Sequence, residues 1–295
     1  MITTNTHETT NGSQQTIALL KRQIRQVELG HLLQPDHSLP RGITSGLAAI
    51  DQVLPERGYS RGTLIEWLVP GSSGQTAGYG AELLALQLAQ RAMQGGGSLV
   101  VVDPAEEFYP LAARQLGIPL DRIVILRGHK LEDLYWSIDQ ALRCEAVAAV
   151  WCAATSAMPS FLVDLDERWH RRFQLSAEAG QSFGLFLRPD RVARQPSWSD
   201  IQWRVLATHR TSQQRSERGL TEQTPPESTL PDDYWARPIS LQLLKCRGGR
   251  AGQTLHLNFD TRTGELRSDA ARRLESLRPR SPAADLKTTA FSQTG

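Results

Sequence analysis

The run Leu64-Ile-Glu-Trp-Leu-Val-Pro-Gly-Ser-Ser-Gly-Gln-Thr-Ala77 holds the residues best suited to chemistry. It reads as a strand, a Gly/Ser turn and a helix starting near Thr76. In that layout backbone N–H groups wrap a phosphate at a helix N-terminus. The motif G-x-x-x-x-G-K-[ST] adds a Lys for the β- and γ-phosphates and a hydroxyl for Mg²⁺. Aligned on Gly74 and Thr76, the Lys position holds Gln75 and the first Gly position holds Val69. Gly71, Ser72, Ser73, Gly74, Gln75 and Thr76 are therefore the candidate cofactor-binding residues, in a loop that keeps its hydroxyl and lacks its cation. The plainer reading is a Gly/Ser turn that closes a βα unit. Gly78 and Gly80 loosen a first helical turn that a phosphate cradle needs firm.

Other constellations are weaker. The seven histidines (His7, His31, His37, His129, His170, His209, His256) show no ligand spacing, so no metal site is expected. Cys144, Cys152 and Cys246 lack paired spacing, which argues against a disulfide framework and a Cys-rich zinc site and suits a reducing cytoplasm. No Ser/His/Asp arrangement stands out. The net charge of +2 gives no global basic field, so any nucleic-acid surface has to be local. Arg168, His170, Arg171 and Arg172 accompany Trp169 and Phe173 on one helical stretch. They read either as a contact for DNA phosphates or an acidic partner, or as a solvated face that buries the two aromatics. Arg247 and Arg250 flank a Gly-rich turn, a better place to touch nucleic acid. The candidate DNA contacts are Arg247, Arg250, Arg171 and Arg172.

The elements that position these residues follow from periodicity. At 295 residues and 40% hydrophobic content the chain can hold one large domain with polar ends. Residues 1–15 read as disordered. Over 16–33, Leu20, Ile24 and Val27 share the apolar face of a helix, which packs on its own core or docks on a partner. The main domain is expected over 41–266. It begins with a short helix capped by Ser45, continues with a strand over 63–68, and has a helix over 80–93. Buried-type strands at 98–103, 122–126, 146–152 and 183–187 alternate with helices at 108–116, 131–143 and 162–179. That rhythm predicts an α/β fold with a mainly parallel sheet. The later runs 201–207, 239–246 and 254–259 alternate apolar and polar residues and suit antiparallel strands. Between the first two, residues 211–238 read as a flexible insertion. Past 266 the chain is a basic flexible tail with a helical stretch at 270–277. No signal peptide or membrane-length apolar run is visible, so a cytoplasmic protein with no membrane contact is expected.

The order Ser45-Gly-Leu-Ala-Ala-Ile-Asp, Gly62-Thr-Leu-Ile-Glu, Ser72-Ser-Gly-Gln-Thr and Val101-Val-Asp-Pro, with Pro110 after it, resembles the RecA/RadA ATPase core. Ala113-Arg-Gln-Leu-Gly and the strand Ile123–Leu126 extend the likeness. Within that superfamily, Arg171-Arg-Phe-Gln-Leu-Ser-Ala-Glu-Ala-Gly, Leu185-Phe-Leu-Arg-Pro, Gln202-Trp-Arg-Val, Leu244-Lys-Cys-Arg-Gly-Gly and Leu20-Lys-Arg-Gln-Ile-Arg are similar to the ImuA family of bacterial mutagenesis cassettes. The resemblance spans residues 16–266. It implies an SOS-induced role in translesion synthesis beside an ImuB-like polymerase accessory protein and an error-prone C-family polymerase. RecA and DNA are implied as further contacts, and a homo-oligomer is one possible form. It also implies that the helix carrying Leu20, Ile24 and Val27 docks on a partner.

A RecA-type ATPase needs a loop Lys, a Mg²⁺-binding hydroxyl, a strand-end carboxylate and a Glu that polarises water. Thr76 supplies the hydroxyl. The Lys is Gln75. The Walker B-type strand ends in Trp151 and Cys152. Two residues past Asp103 stands Ala105, with Glu106 and Glu107 beyond. Loss of phosphoryl charge stabilisation costs orders of magnitude in rate. The expectation is therefore a non-hydrolysing adaptor with no catalytic residue and no required cofactor, weak ATP/Mg²⁺ binding by loop N–H groups staying open. The alternative is a weak DNA-stimulated ATPase that regulates RecA filaments or polymerase recruitment. A truncated RecA fold of the SulA cell-division inhibitors is shorter than this chain.

Overall fold

A strand with no polar face has to lie inside a sheet covered on both sides. In the computed structural model, which describes residues 42–70, 80–206, 236–260 and 265–268, β3 (Leu64–Val69) is buried along its whole length at the centre of such a sheet. Before it come β1 (Gly42–Ile43), α1 (Ala48–Asp51) and β2 (Tyr59–Ser60). After it follow α2 (Ala81–Met93), β4 (Ser98–Val102), α3 (Pro110–Gln115), β5 (Ile123–Leu126), α4 (Leu131–Arg143), β6 (Val147–Ala153), α5 (Glu167–Gly180) and β7 (Phe183–Pro189). The described chain closes with β8 (Ile201–Leu206), β9 (Ala236–Cys246), β10 (Thr254–Asp260) and β11 (Leu266–Ser268).

Nine strands form the main sheet in the order β11-β10-β9-β8-β3-β7-β6-β4-β5. The six from β8 to β5 are parallel; β9, β10 and β11 add antiparallel at the other side. The expected α/β class with a mainly parallel sheet and C-terminal antiparallel strands is what forms. Alternation along β3 divides the core. Ile65, Trp67 and Val69 face the layer of α1, α2 and α3, while Leu64 and Leu68 face α4 and α5. Glu66 falls on the second face, in the middle of that apolar layer.

Local chemistry sets the helix ends. Gly80 caps α2 with φ +84, and a Cβ there would stand 2.5 Å from Ile239 Cδ1, so the helix start approaches β9 only because the residue is glycine. Asp166 caps α5 by accepting the Trp169 amide at 2.9 Å. Glu132 and Asp133 in the first turn of α4 and Arg143 in its last complement the helix dipole. Asp139, whose side chain is 0% exposed, joins α4 to α5 by accepting from Arg172 at 2.7 Å and Ser176 Oγ at 2.6 Å.

Three expectations change. The third long helix starts at Glu167, not 162: Phe161, Leu162, Val163 and Leu165 are buried but lie in a turn, with Leu162 at φ +60. Apolar spacing alone could not distinguish a helix face from a turn pressed into the core. Ser45 does not cap the first helix; its hydroxyl accepts the Leu47 amide, and Asp51 accepts the Ser45 amide. β8 is antiparallel to β9 but parallel to β3, so its alternation marks a strand near the join, not an antiparallel neighbourhood on both sides. Two boundaries also move: Ala236–Pro238, expected in the flexible insertion, open β9, and Arg267 and Ser268, expected at the start of the tail, belong to β11; the stretches 1–33, 211–235 and 270–295 lie outside the described residues.

Candidate functional site

Because β3, β4, β6 and β7 are parallel, their C-terminal ends meet on one edge of the sheet, where β3 runs into the Gly/Ser loop. The candidate loop residues Gly71, Ser72, Ser73, Gly74, Gln75 and Thr76 lie outside the described residues, as do the docking candidates Leu20, Ile24 and Val27. The frame around the loop is described. Pro70 follows β3 and Gly80 opens α2, whose first turn carries Glu82; burial pushes that carboxyl up to about 7.

The neighbouring strand ends define what surrounds a ligand there. Asp103, at the end of β4, is buried, and its two oxygens accept the Glu107 and Phe108 amides at 3.0 and 3.1 Å. It acts as a staple for its own loop. Glu106 sits at φ +59 and turns outward to Arg127 at 3.4 Å, with both side chains half-exposed or more. Glu107 turns the other way: its Oε2 accepts from Thr155 Oγ1 at 3.2 Å, just past the end of β6. On β6 itself Trp151 packs against the Phe108 ring with centroids 5.6 Å apart. Cys152 is fully buried, and burial pushes its thiol well up. No carboxylate belongs to the end of β6. Of the two glutamates after Asp103, the one facing β6 is Glu107.

Beneath this edge lies a cluster that the sequence reading did not identify. Glu66 is fully buried and accepts from Arg188 Nη1 at 2.6 Å, Ser197 Oγ at 2.9 Å, Gln202 Nε2 at 2.9 Å and Ser199 Oγ at 3.1 Å. His170 Nε2 stands 3.2 Å from its Oε1, off the hydrogen-bond direction. Arg188 also donates to the Leu162 carbonyl at 2.7 Å and to Gln195 Oε1 at 3.1 Å. Burial by itself would raise the Glu66 carboxyl, but the Arg188 guanidinium, with His170 beside it, holds it well below the ordinary carboxylate range. The cluster ties β3, β7, β8, α5 and both loops above them. The available signal was a Glu and an Arg each inside an otherwise apolar strand run, where a charge survives only if paired.

The structure does not gather the candidate DNA contacts. Arg247 pairs with Asp200 at 3.0 Å, and Asp200 also accepts the Leu64 amide at the start of β3. The turn with Arg247 and the exposed Arg250 therefore lies at the sheet edge opposite the C-terminal end of β3. Arg171 and Arg172 are on α5. The Arg171 guanidinium lies 4.7 Å from the Trp198 ring centre; Arg172 bonds Asp139 and lies 5.1 Å from Trp169. His170 leaves the expected basic patch altogether, at 1% exposure beside Glu66. Among the described residues no cluster of His, Cys, Asp and Glu is arranged to hold a metal, and no helix is long and apolar enough to cross a membrane.

No protein-family model matches the sequence. Protein RecA of Rhodopirellula baltica is 28% identical over 116 residues, covering 39% of this chain and 29% of that protein. Protein RecA of Acholeplasma laidlawii is 34% identical over 120 residues, covering 39% of this chain and 34% of that protein. The match thus spans about a third of the length of those curated relatives. In structure the chain is similar to the crystal structure of the RadB recombinase, with a TM-score of 0.50 and 14% identity, over 77% of this chain and 99% of that one. The chain is therefore RecA-like, by fold over most of its length and by sequence over 39% of it.

Proposed function

We propose that this RecA-like chain is an accessory protein that does not hydrolyse nucleotide and serves SOS-induced DNA-damage tolerance. It is an ImuA-type adaptor in translesion synthesis. Its partners are an ImuB-like polymerase accessory protein and an error-prone C-family polymerase, with RecA and DNA as further contacts. The observation that carries the first half is the end of β6. A RecA-type engine needs a carboxylate there, and the strand ends in buried Cys152 and then Ala153, with Ala154 after it. Asp103 on β4 is engaged in its own loop, each oxygen accepting a backbone amide. With Gln75 at the Lys position, three charges that stabilise phosphoryl transfer are absent or turned elsewhere. The RecA relatives support the setting in DNA metabolism; the short motifs shared with ImuA support the assembly.

The test is ATP turnover by the full-length protein with and without single-stranded DNA and Mg²⁺. Background turnover is expected. Mg²⁺-dependent hydrolysis that Thr76→Ala abolishes refutes the non-hydrolysing reading. Co-purification with ImuB-like and RecA-like candidates, with and without residues 1–30 or 267–295, tests the partners; complexes unaffected by either truncation refute docking by the ends. One observation favours the alternative, a weak DNA-stimulated ATPase: the Glu107 carboxylate faces the end of β6 through Thr155. Under that reading Glu107→Gln removes a measurable turnover.

A further inference from the structure

Arginine is concentrated on the outer face of α5, and two of its side chains lie over tryptophans. Arg171 covers Trp198, and Arg172 covers Trp169. Trp169 is half-buried and is fixed from behind by Tyr135 and Phe173, each with ring centroids 5.8 Å away. In front of it opens a shallow groove of about 300 Å³ lined by Asp166, Arg168, Trp169 and Arg172. The Arg168 side chain is 94% exposed. Two turns further along the helix Leu175 is 48% exposed, a large apolar side chain in water. The carboxylate in the groove is engaged: Asp166 caps α5 and pairs with Arg168 at 3.3 Å.

We infer that this face of α5 is a docking surface for an acidic segment of a partner protein that also carries an apolar anchor. The inference rests on the accessory-protein reading and adds the chemistry of the partner. The Arg171 guanidinium over the Trp198 ring and the exposed Arg168 offer N–H groups to a partner's carboxylates, while Arg172 is tied to the buried Asp139 and holds Trp169 in place. Rigid Trp with Arg is the composition of interface hot spots. Leu175 and the groove beside Trp169 receive the anchor. Single-stranded nucleic acid fits less well. It uses open aromatic faces as stacking platforms, and here the guanidinium groups already cover Trp169 and Trp198.

The experiment uses the full-length protein and a short fluorescein-labelled peptide of Asp and Glu interspersed with Leu and Phe, read by fluorescence anisotropy at physiological salt. The same peptide with Lys for its acids, and an unlabelled oligothymidylate, serve as competitors. Arg168→Glu with Arg171→Glu should weaken binding roughly tenfold or more, and Leu175→Ser several-fold, because attraction and anchor are removed separately. Circular dichroism melting should show both variants folded, since these side chains are exposed. The Lys peptide should not compete. Absence of wild-type binding, equal binding by both folded variants, or displacement by oligothymidylate in preference to the acidic peptide overturns the inference. None of those results alters ATP turnover or co-purification, so a failure here is distinct from a failure of the accessory-protein reading.

Discussion

Arg188→Leu tests the physics of the buried cluster under the central strand. Glu66 is 0% exposed and Arg188 1%, so neither charge is screened by water. Removing one member of a buried pair costs about 3–5 kcal/mol, because the other charge stays buried without its counter-ion. Ser197, Ser199 and Gln202 still donate to Glu66, which holds the electrostatic loss near the lower figure. The Leu162 carbonyl and Gln195 lose their donor as well, adding about 1 kcal/mol. The expected total is about 4 kcal/mol, read as a shift of the urea midpoint at unchanged slope.

The dependence on pH supplies a second signature. In the native protein the Glu66 carboxyl is depressed. Its contribution is therefore fully present above the unfolded value of about 4.3 and is lost only as pH falls through the lower folded value. Between pH 5 and 8 it is constant. In Arg188→Leu the guanidinium's lowering is gone, and burial, the largest influence, moves the carboxyl upward against the opposing His170 beside it. A raised carboxyl favours folding below about 4.3 and loses that advantage as pH rises, by up to about 1.4 kcal/mol per pH unit. The defect should thus be smaller at pH 5 than at pH 8. Glu66→Gln with Arg188→Leu, which leaves no buried charge, should recover about half of the loss. A defect under about 1 kcal/mol, a defect independent of pH, or a double variant no more stable than Arg188→Leu refutes the reasoning.

Other consequences are simpler. A Cβ on Gly180 would lie 2.7 Å from the Arg143 carbonyl carbon and closer still to the Leu142 carbonyl oxygen, so Gly180→Ala should destabilise by about 1–3 kcal/mol in denaturant unfolding. Asp139→Ala should loosen α5 from α4 at a loss of about 1–3 kcal/mol at pH 7. Burial would raise the Asp139 carboxyl, but the bonds from Arg172 and Ser176 and the Arg143 and Arg172 charges together outweigh this and lower it, so the loss should shrink below about pH 4. Burial raises Glu82, so its charged form opposes folding as pH rises; Glu82→Gln should stabilise at pH 8 and do so less at pH 5, read from thermal midpoints at the two values.

The parallel core was legible because its determinants are local and repeated. Val-Val-Val before Asp103 and Ala-Val-Trp-Cys at 149–152 are strands buried on both faces, Ile-Val-Ile-Leu at 123–126 is a partly buried strand at the sheet edge, and the amphipathic runs between them return the chain. The absence of a Lys at 75 and of a carboxylate on β6 was legible too, since each is a residue type at a position fixed by motif spacing. What a side chain touches was not. Sequence placed His170 among basic surface residues, and packing turned it inward to Glu66, because one helix position decides between water and core. Sequence put Glu106 and Glu107 on equal terms; the left-handed backbone at Glu106 sends one to Arg127 and the other to Thr155. Sequence gathered Arg171, Arg172, Arg247 and Arg250 as one class, and the topology placed the α5 pair and the β9–β10 turn on different parts of the sheet. The sequence by itself determined the order of elements and which reactive groups are missing. Tertiary structure decided which charges are buried together, because pairing across β3, β7 and α5 joins residues more than a hundred positions apart, and burial converts that proximity into energy.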